Sequence, residues 1–67
     1  MNILKLKGKL VERGMNVEKL ASKVRMDRST LYRKLNNGEN FTVGEVKRIK
    51  NALKLDIEEA NEIFFDQ

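Results

Sequence analysis

Apolar residues recur three and four positions apart in five short stretches of the chain, and none of these stretches keeps the alternation that marks a strand. The first predicts a helix from about Ile3 to Arg13, with Ile3, Leu6 and Leu10 on an inner stripe that Leu4 and Val11 widen. Gly14 follows the last periodic residue, where a left-handed helix end costs glycine least. Gly8, inside the stretch, costs up to ~1 kcal/mol against alanine, so it either admits a neighbouring helix or weakens this one. Asn16 predicts the cap of a second helix, Val17 to Val24, with Val17, Leu20, Ala21 and Val24 on one face. Arg25-Met26-Asp27 then makes a three-residue connection, and Asp27 caps a third helix from Arg28 to about Asn36.

Asn37-Gly38-Glu39-Asn40 has the composition of a loop. Thr42-Val43-Gly44-Glu45 has capping-box spacing and opens a fourth helix, Val43 to about Lys54, with Val46, Ile49 and Leu53 inward. Asp56-Ile57-Glu58-Glu59 repeats the signal and opens a short fifth helix ending near Phe64. The expected fold class is all-α: a compact five-helix bundle forming one domain over residues 1–67, with Leu20, Val24, Leu31, Leu35, Ile49 and Leu53 in its core.

Composition narrows the function. The chain has no Cys, His, Pro or Trp. It therefore lacks the usual general base and the thiolate nucleophile, so an enzyme is not expected, and no metal site or cofactor is expected either. No apolar run is long enough to span a bilayer or to act as a signal peptide, which predicts a cytoplasmic protein with no membrane partner. Net charge is +4, unevenly spread. Residues 1–37 carry ten basic side chains against three acidic ones, and residues 38–67 carry four against seven. Such a division suits one face turned to a polyanion and another kept off it.

The second and third helices carry the candidate chemistry. A connection of three to four residues typically sets two helices at roughly 90–120°. Leu20, Ala21, Val24, Met26 and Leu31 supply the small and apolar positions that lock such a corner. With Leu31 and Leu35 one turn apart on the buried side, Arg33 points away from the core. Ser29 lies beside it, and Arg28, Thr30 and Tyr32 flank. That face offers guanidinium, hydroxyl and phenol groups, and no carboxylate is expected among them. A DNA major groove presents the matching pattern, since arginine bonds guanine O6 and N7 bidentately and serine or threonine serves either base edge.

The run Asn16-Val17-Glu18-Lys19-Leu20-Ala21-Ser22-Lys23-Val24-Arg25-Met26-Asp27-Arg28-Ser29-Thr30-Leu31-Tyr32-Arg33-Lys34-Leu35-Asn36-Asn37-Gly38 resembles the helix-turn-helix of the phage repressor and Cro-type (lambda repressor-like, XRE) DNA-binding domains. Phe41-Thr42 and Leu55-Asp56 fall where that five-helix fold starts its fourth and fifth helices, so the resemblance spans about residues 3–65 and is nearest to a small prophage regulator. It implies that Arg28, Ser29 and Arg33 read bases, with Thr30 and Tyr32 on phosphate or sugar. It also implies that Asn16, Val17, Lys19, Asn36, Asn37 and Asn40 grip the backbone. Two positions depart from the family pattern: Val17 stands where glutamine often bonds phosphate, and Arg25 stands where glycine often turns the chain.

The function so implied is sequence-specific binding of double-stranded DNA by a transcriptional regulator. The expected partners are a pseudo-palindromic operator and a second copy of the chain; a bacterial, nucleoid-associated location goes with them, and no small-molecule ligand does. Lys19 and Lys23, one turn apart, are candidates for backbone phosphate, and one of Phe64 and Phe65 must face outward as a candidate dimer contact. Lys5, Lys7 and Lys9 spread around the first helix as solvated charges, and Glu58, Glu59 and Glu62 read as a solvated face. The rival reading is a protein-interaction module, antirepressor or antitoxin-like, on the same fold. Against it stands the expectation that Arg28, Arg33 and Lys34 are free of carboxylates.

Overall fold

Asn2, Asn16, Asp27, Thr42 and Asp56 each begin a helix in the computed structural model of the chain, which describes residues 1–65. The helices are α1 (Ile3–Glu12), α2 (Val17–Val24), α3 (Arg28–Asn37), α4 (Val43–Ala52) and α5 (Ile57–Phe64), with no strand among the described residues. Every cap works by the same chemistry: a side-chain oxygen accepts a first-turn N–H that no helical carbonyl reaches. The distances run from 2.7 Å, for Ser29 N–H to Asp27 Oδ1, to 3.1 Å, for Lys5 N–H to Asn2 Oδ1. Thr42 with Glu45 and Asp56 with Glu59 complete the two expected capping boxes. Asn2 is an additional cap that the apolar pattern did not single out.

The ends of the helices share a second device. After each of α1 to α4 one residue is left-handed: Gly14 (φ 66°), Arg25 (φ 57°), Gly38 (φ 67°) and Lys54 (φ 52°). The next N–H then donates to the carbonyl five residues back. Met15 reaches Leu10 at 2.8 Å, Met26 reaches Ala21 at 3.0 Å, Glu39 reaches Lys34 at 3.1 Å and Leu55 reaches Lys50 at 3.0 Å. This closure satisfies carbonyls that the helix leaves open, and it usually brings an apolar residue down onto the last turn. Met15 and Met26 pack against the core and Leu55 is part of it. Two arginines add to the closure from a distance. Arg13 Nε donates to the Leu53 carbonyl at α4's end, and Arg48 Nε donates to the Val24 carbonyl at α2's end, both at 2.8 Å. A cation at the negative end of a helix is favourable on both dipole and hydrogen-bond grounds.

Leu6, Leu20, Val24, Leu31, Ile49, Leu53 and Ile63 are fully buried, so each helix contributes to one core. α2 packs against both α3 and α4, and α1 packs against α5. The Asn2 N–H donates to the Ile63 carbonyl at 2.6 Å and joins the start of α1 to α5.

Five expectations need correction. Leu4 and Val11 do not widen the inner stripe of α1; they are 82% and 78% exposed, because Leu6 and Leu10 already fill the side that meets the core. α4 stops at Ala52 and not Lys54, since Lys54 has left the right-handed region. α3 runs one residue past Asn36 to Asn37. Lys5 and Lys9 are not merely solvated: Lys5 pairs with Glu62, and Lys9 pairs with Glu59 and with Glu12, so the basic side of α1 is fastened to the acidic side of α5. Glu59 and Glu62 are thus part of a helix contact and not a solvated face.

A Cβ built at Gly8 meets nothing within 4 Å, which decides that Gly8 weakens α1 and admits no neighbour among the described residues. Gly8→Ala is expected to raise stability by about 1 kcal/mol, the helix-propensity difference. Arg25→Gly is expected to raise it by a similar ~1 kcal/mol, because a left-handed residue with a Cβ is strained by about 1–2 kcal/mol and glycine returns part of that in chain entropy. Urea titration followed by circular dichroism measures both; a loss of stability in either variant contradicts the corresponding account.

Candidate nucleic-acid interface

α3 is held from one side only. Leu31 and Leu35 are buried at 0% and 2% exposure, while Arg28, Ser29, Tyr32, Arg33, Asn36 and Asn37 are exposed. Thr30 is half-buried at the edge of this face. Ahead of α3, Arg25 adopts the left-handed conformation that the family pattern assigns to glycine, so the corner forms with a strained residue and not with a different turn. Met26 fills the corner from inside, half-buried against the core. The expected helix-turn-helix geometry of α2, a three-residue turn and α3 is therefore present.

The candidate backbone contacts come from α2, the end of α3 and the loop after it. Asn16 is exposed, but its side-chain oxygen is committed to the Lys19 N–H at 2.8 Å. Val17 packs its side chain against the core, so what it offers phosphate is its first-turn backbone N–H. Lys19 is exposed on the same turn. Lys23 lies one turn, about 6 Å, further along α2, where it lines a groove with Arg48, Asn51 and Ala52 of α4. Asn40, in the loop after α3, lines a second groove of about 320 Å³ with Met1, Phe41, Val46, Phe64 and Phe65. Within it the Phe41 and Phe64 rings meet edge to face, with centroids 6.1 Å apart and planes at 84°. Phe64 is half-buried there and Phe65 is 64% exposed, so Phe65 is the outward member of the pair.

The expectation of a carboxylate-free face is corrected. Arg28 Nη1 lies 3.4 Å from Glu18 Oε1, Arg33 Nη1 donates to Glu39 Oε1, and Lys34 Nζ donates to Glu45 Oε1 at 2.9 Å. Each carboxylate comes from a segment that the wheel of α3 does not contain: the start of α2, the loop after α3, and the first turn of α4. Lys34 also stands 5.5 Å over the Phe41 ring, and its side chain is only 14% exposed. It is a strut between α3 and α4 rather than part of the outward face. Glu45 Oε1 serves that strut and the Thr42 N–H at 2.8 Å together, so one capping residue both starts α4 and fixes it to α3. Spacing along the chain hinted at Glu45 through its capping box, whereas Glu18 and Glu39 become partners only once the helices have turned.

A family model described as the Cro/C1-type HTH DNA-binding domain matches residues 5–66. No curated protein and no solved structure matches the chain. No described helix is long and apolar enough to cross a membrane.

The ion pairs leave a signature in acid. The Asn37 amide and then the Arg33 guanidinium hold Glu39 below its ordinary 4.5. The Lys9 ammonium does the same for Glu12, and Lys9 with the Asp56 backbone does so for Glu59. At Glu45, burial opposes ionisation, but the Lys34 and Thr42 hydrogen bonds outweigh it and the value is again lowered. A carboxyl lowered in the folded state contributes stability above its unfolded value and loses it as pH falls through the folded one. Thermal stability is therefore expected to hold steady through neutral pH and to drop below about pH 4.5, the ordinary value. Melting curves from pH 7 to 3 check this, and a melting temperature constant down to pH 3 contradicts it.

Proposed function

The chain belongs to the Cro/C1-type HTH DNA-binding domain family, and from that membership we infer that it regulates transcription by reading one operator sequence with α3 in the major groove. That it is a DNA-binding regulator of this type follows from the family; the assignment of residues to tasks is our reading of the surface. The observation that carries it is the one-sided anchoring of α3: two leucines are sunk in the core, and Arg28, Ser29, Tyr32 and Arg33 stand outside it. A groove about 12 Å wide admits a helix presented in this way.

In this reading Arg28, Ser29 and Arg33 contact base edges, and Thr30 and Tyr32 meet sugar or phosphate. Asn16, Lys19, Asn36, Asn37, Asn40 and the Val17 N–H grip the backbone on either side, with Lys23 adding attraction from the flank of α2. Lysines and arginines that neutralise phosphate release counterions, which gives sequence-independent affinity with a steep salt dependence. The protein acts as a homodimer in which Phe65 of one copy enters the groove of Phe41 and Phe64 on the other. Two half-sites then lie roughly 34–36 Å apart, one helical turn, in a pseudo-palindromic operator. The phage or prophage setting of the regulators the sequence resembles belongs to the same proposal.

A second reading, a protein-interaction module on the same fold, draws on the carboxylates paired with Arg28, Arg33 and Lys34. Selection from a random pool of duplexes at physiological salt separates the two: a regulator recovers a two-fold symmetric site, and an interaction module recovers none. On the recovered site, Arg33→Ala is expected to cost about 1–3 kcal/mol and to relax one base position. Equal weakening on all sequences makes Arg33 a phosphate contact instead. Lys23→Ala is expected to weaken all duplexes evenly and to flatten the slope of log affinity against log salt by about one. An unchanged slope removes Lys23 from the interface.

A further inference from the structure

Of the four helix ends closed by a left-handed residue, three are followed by a side chain directed into the core: Met15, Met26 and Leu55. The fourth, after Gly38, is followed by Glu39. Its backbone makes the same bond as the others, Glu39 N–H to the Lys34 carbonyl at 3.1 Å. Its carboxylate, however, folds back over α3. One oxygen accepts from Arg33 Nη1, and the other accepts from Asn37 Nδ2 at 3.3 Å. Here the chain places a charge where its own closing device takes an apolar residue elsewhere. An exposed ion pair adds little stability in return. Departures of this kind from local rules concentrate at functional positions.

Resting on the operator-reading function above, we propose that Glu39 is a positioning residue for Arg33 and thereby sets sequence discrimination at one base. A guanidinium offers five N–H donors on a planar fork. Glu39 engages one terminal nitrogen, so the group is oriented before DNA arrives, while the side chain stays 52% exposed with donors to spare. Ordering a long side chain in advance removes part of the entropic cost of binding. The carboxylate has a second effect. A phosphate oxygen brought to Arg33 must approach Glu39 as well, and like charges repel, whereas a guanine edge carries acceptors without a net charge. Glu39 therefore favours base over backbone as the partner of Arg33. Asn37 holds the carboxylate from its other side and keeps it over the helix.

The experiment compares wild type, Glu39→Gln, Arg33→Ala and the double variant, on the selected site and on unrelated duplex, with each base pair of a half-site varied in turn. Glutamine keeps the shape and removes the charge, and a cooperative melt within a few degrees of wild type near neutral pH confirms that the fold is kept. Glu39→Gln is expected to bind unrelated duplex several-fold more tightly. It is also expected to lose about tenfold in preference at the base position that Arg33→Ala relaxes, within the range that one good base contact spans. The double variant should be no looser at that position than Arg33→Ala alone. Affinity that rises equally for every sequence, with preference kept, overturns the proposal and leaves Glu39 a simple competitor for Arg33; unchanged binding overturns it too. A wild-type protein that selects no sequence overturns the operator reading itself, and this appears before any variant is compared.

Discussion

A chain of 67 residues with no proline and no cysteine has to change direction four times between helices of eight to ten residues, and at each turn it uses the same backbone geometry. One residue swings into the left-handed region, and the following amide closes onto a carbonyl five positions earlier. Everything else depends on where these closures fall. They set the helix lengths, and with them which leucines arrive at the centre together. They also bring each following residue back over the turn just completed, where Met15, Met26 and Leu55 extend the core. Two of the four positions are filled by glycine and two by basic residues that bear the strain of a Cβ, so the corner before α3 is held at a cost that the packing around it offsets.

The same closures explain what could be read from the sequence. Caps and closures are local, made between residues three to five apart, and residue type states them directly: Asn16, Asp27, Thr42 and Asp56 each announced a helix that is present. The core positions Leu20, Leu31, Leu35, Ile49 and Leu53 followed from period alone. Leu4 and Val11 did not, because a periodic pattern says which residues share a face but not how wide the contact is. Asn2 was missed for the opposite reason: its apolar run began too near the chain start for a cap to stand out.

The candidate site was half legible. A helical wheel placed Arg28, Ser29 and Arg33 on the outer side of α3 correctly, since that side is fixed by Leu31 and Leu35 within the same helix. It could not show what the neighbouring segments bring. Glu18 is ten residues from Arg28, and Glu45 is eleven from Lys34, so both pairs are products of the corner and of the α3–α4 packing. Arg48 and Arg13 were equally opaque. Each looked like a surface charge and proves to hold a carbonyl at the end of a helix 24 and 40 residues away in sequence.

Charge in this chain thus divides into two populations with different work. Lys5, Lys9, Arg13 and Lys34 have partners that tie one helix to the next, or one helix end to another, and these cations are spent on the fold. Lys19, Lys23 and Arg25, along α2 and its turn, form no ion pair among the described residues. Between them stand Arg28 and Arg33, paired yet more than half exposed, at 63% and 52% of their side-chain surface. Exposed pairs of this kind are worth about 0–1 kcal/mol, too little to withhold an arginine from a stronger acceptor. The count of basic residues alone therefore overstates the attraction that this surface exerts on a general polyanion. In the operator-reading proposal the pairing serves selectivity: free cations draw the protein towards phosphate at any sequence, whereas an arginine that keeps its carboxylate repels phosphate and still offers donors to a base edge.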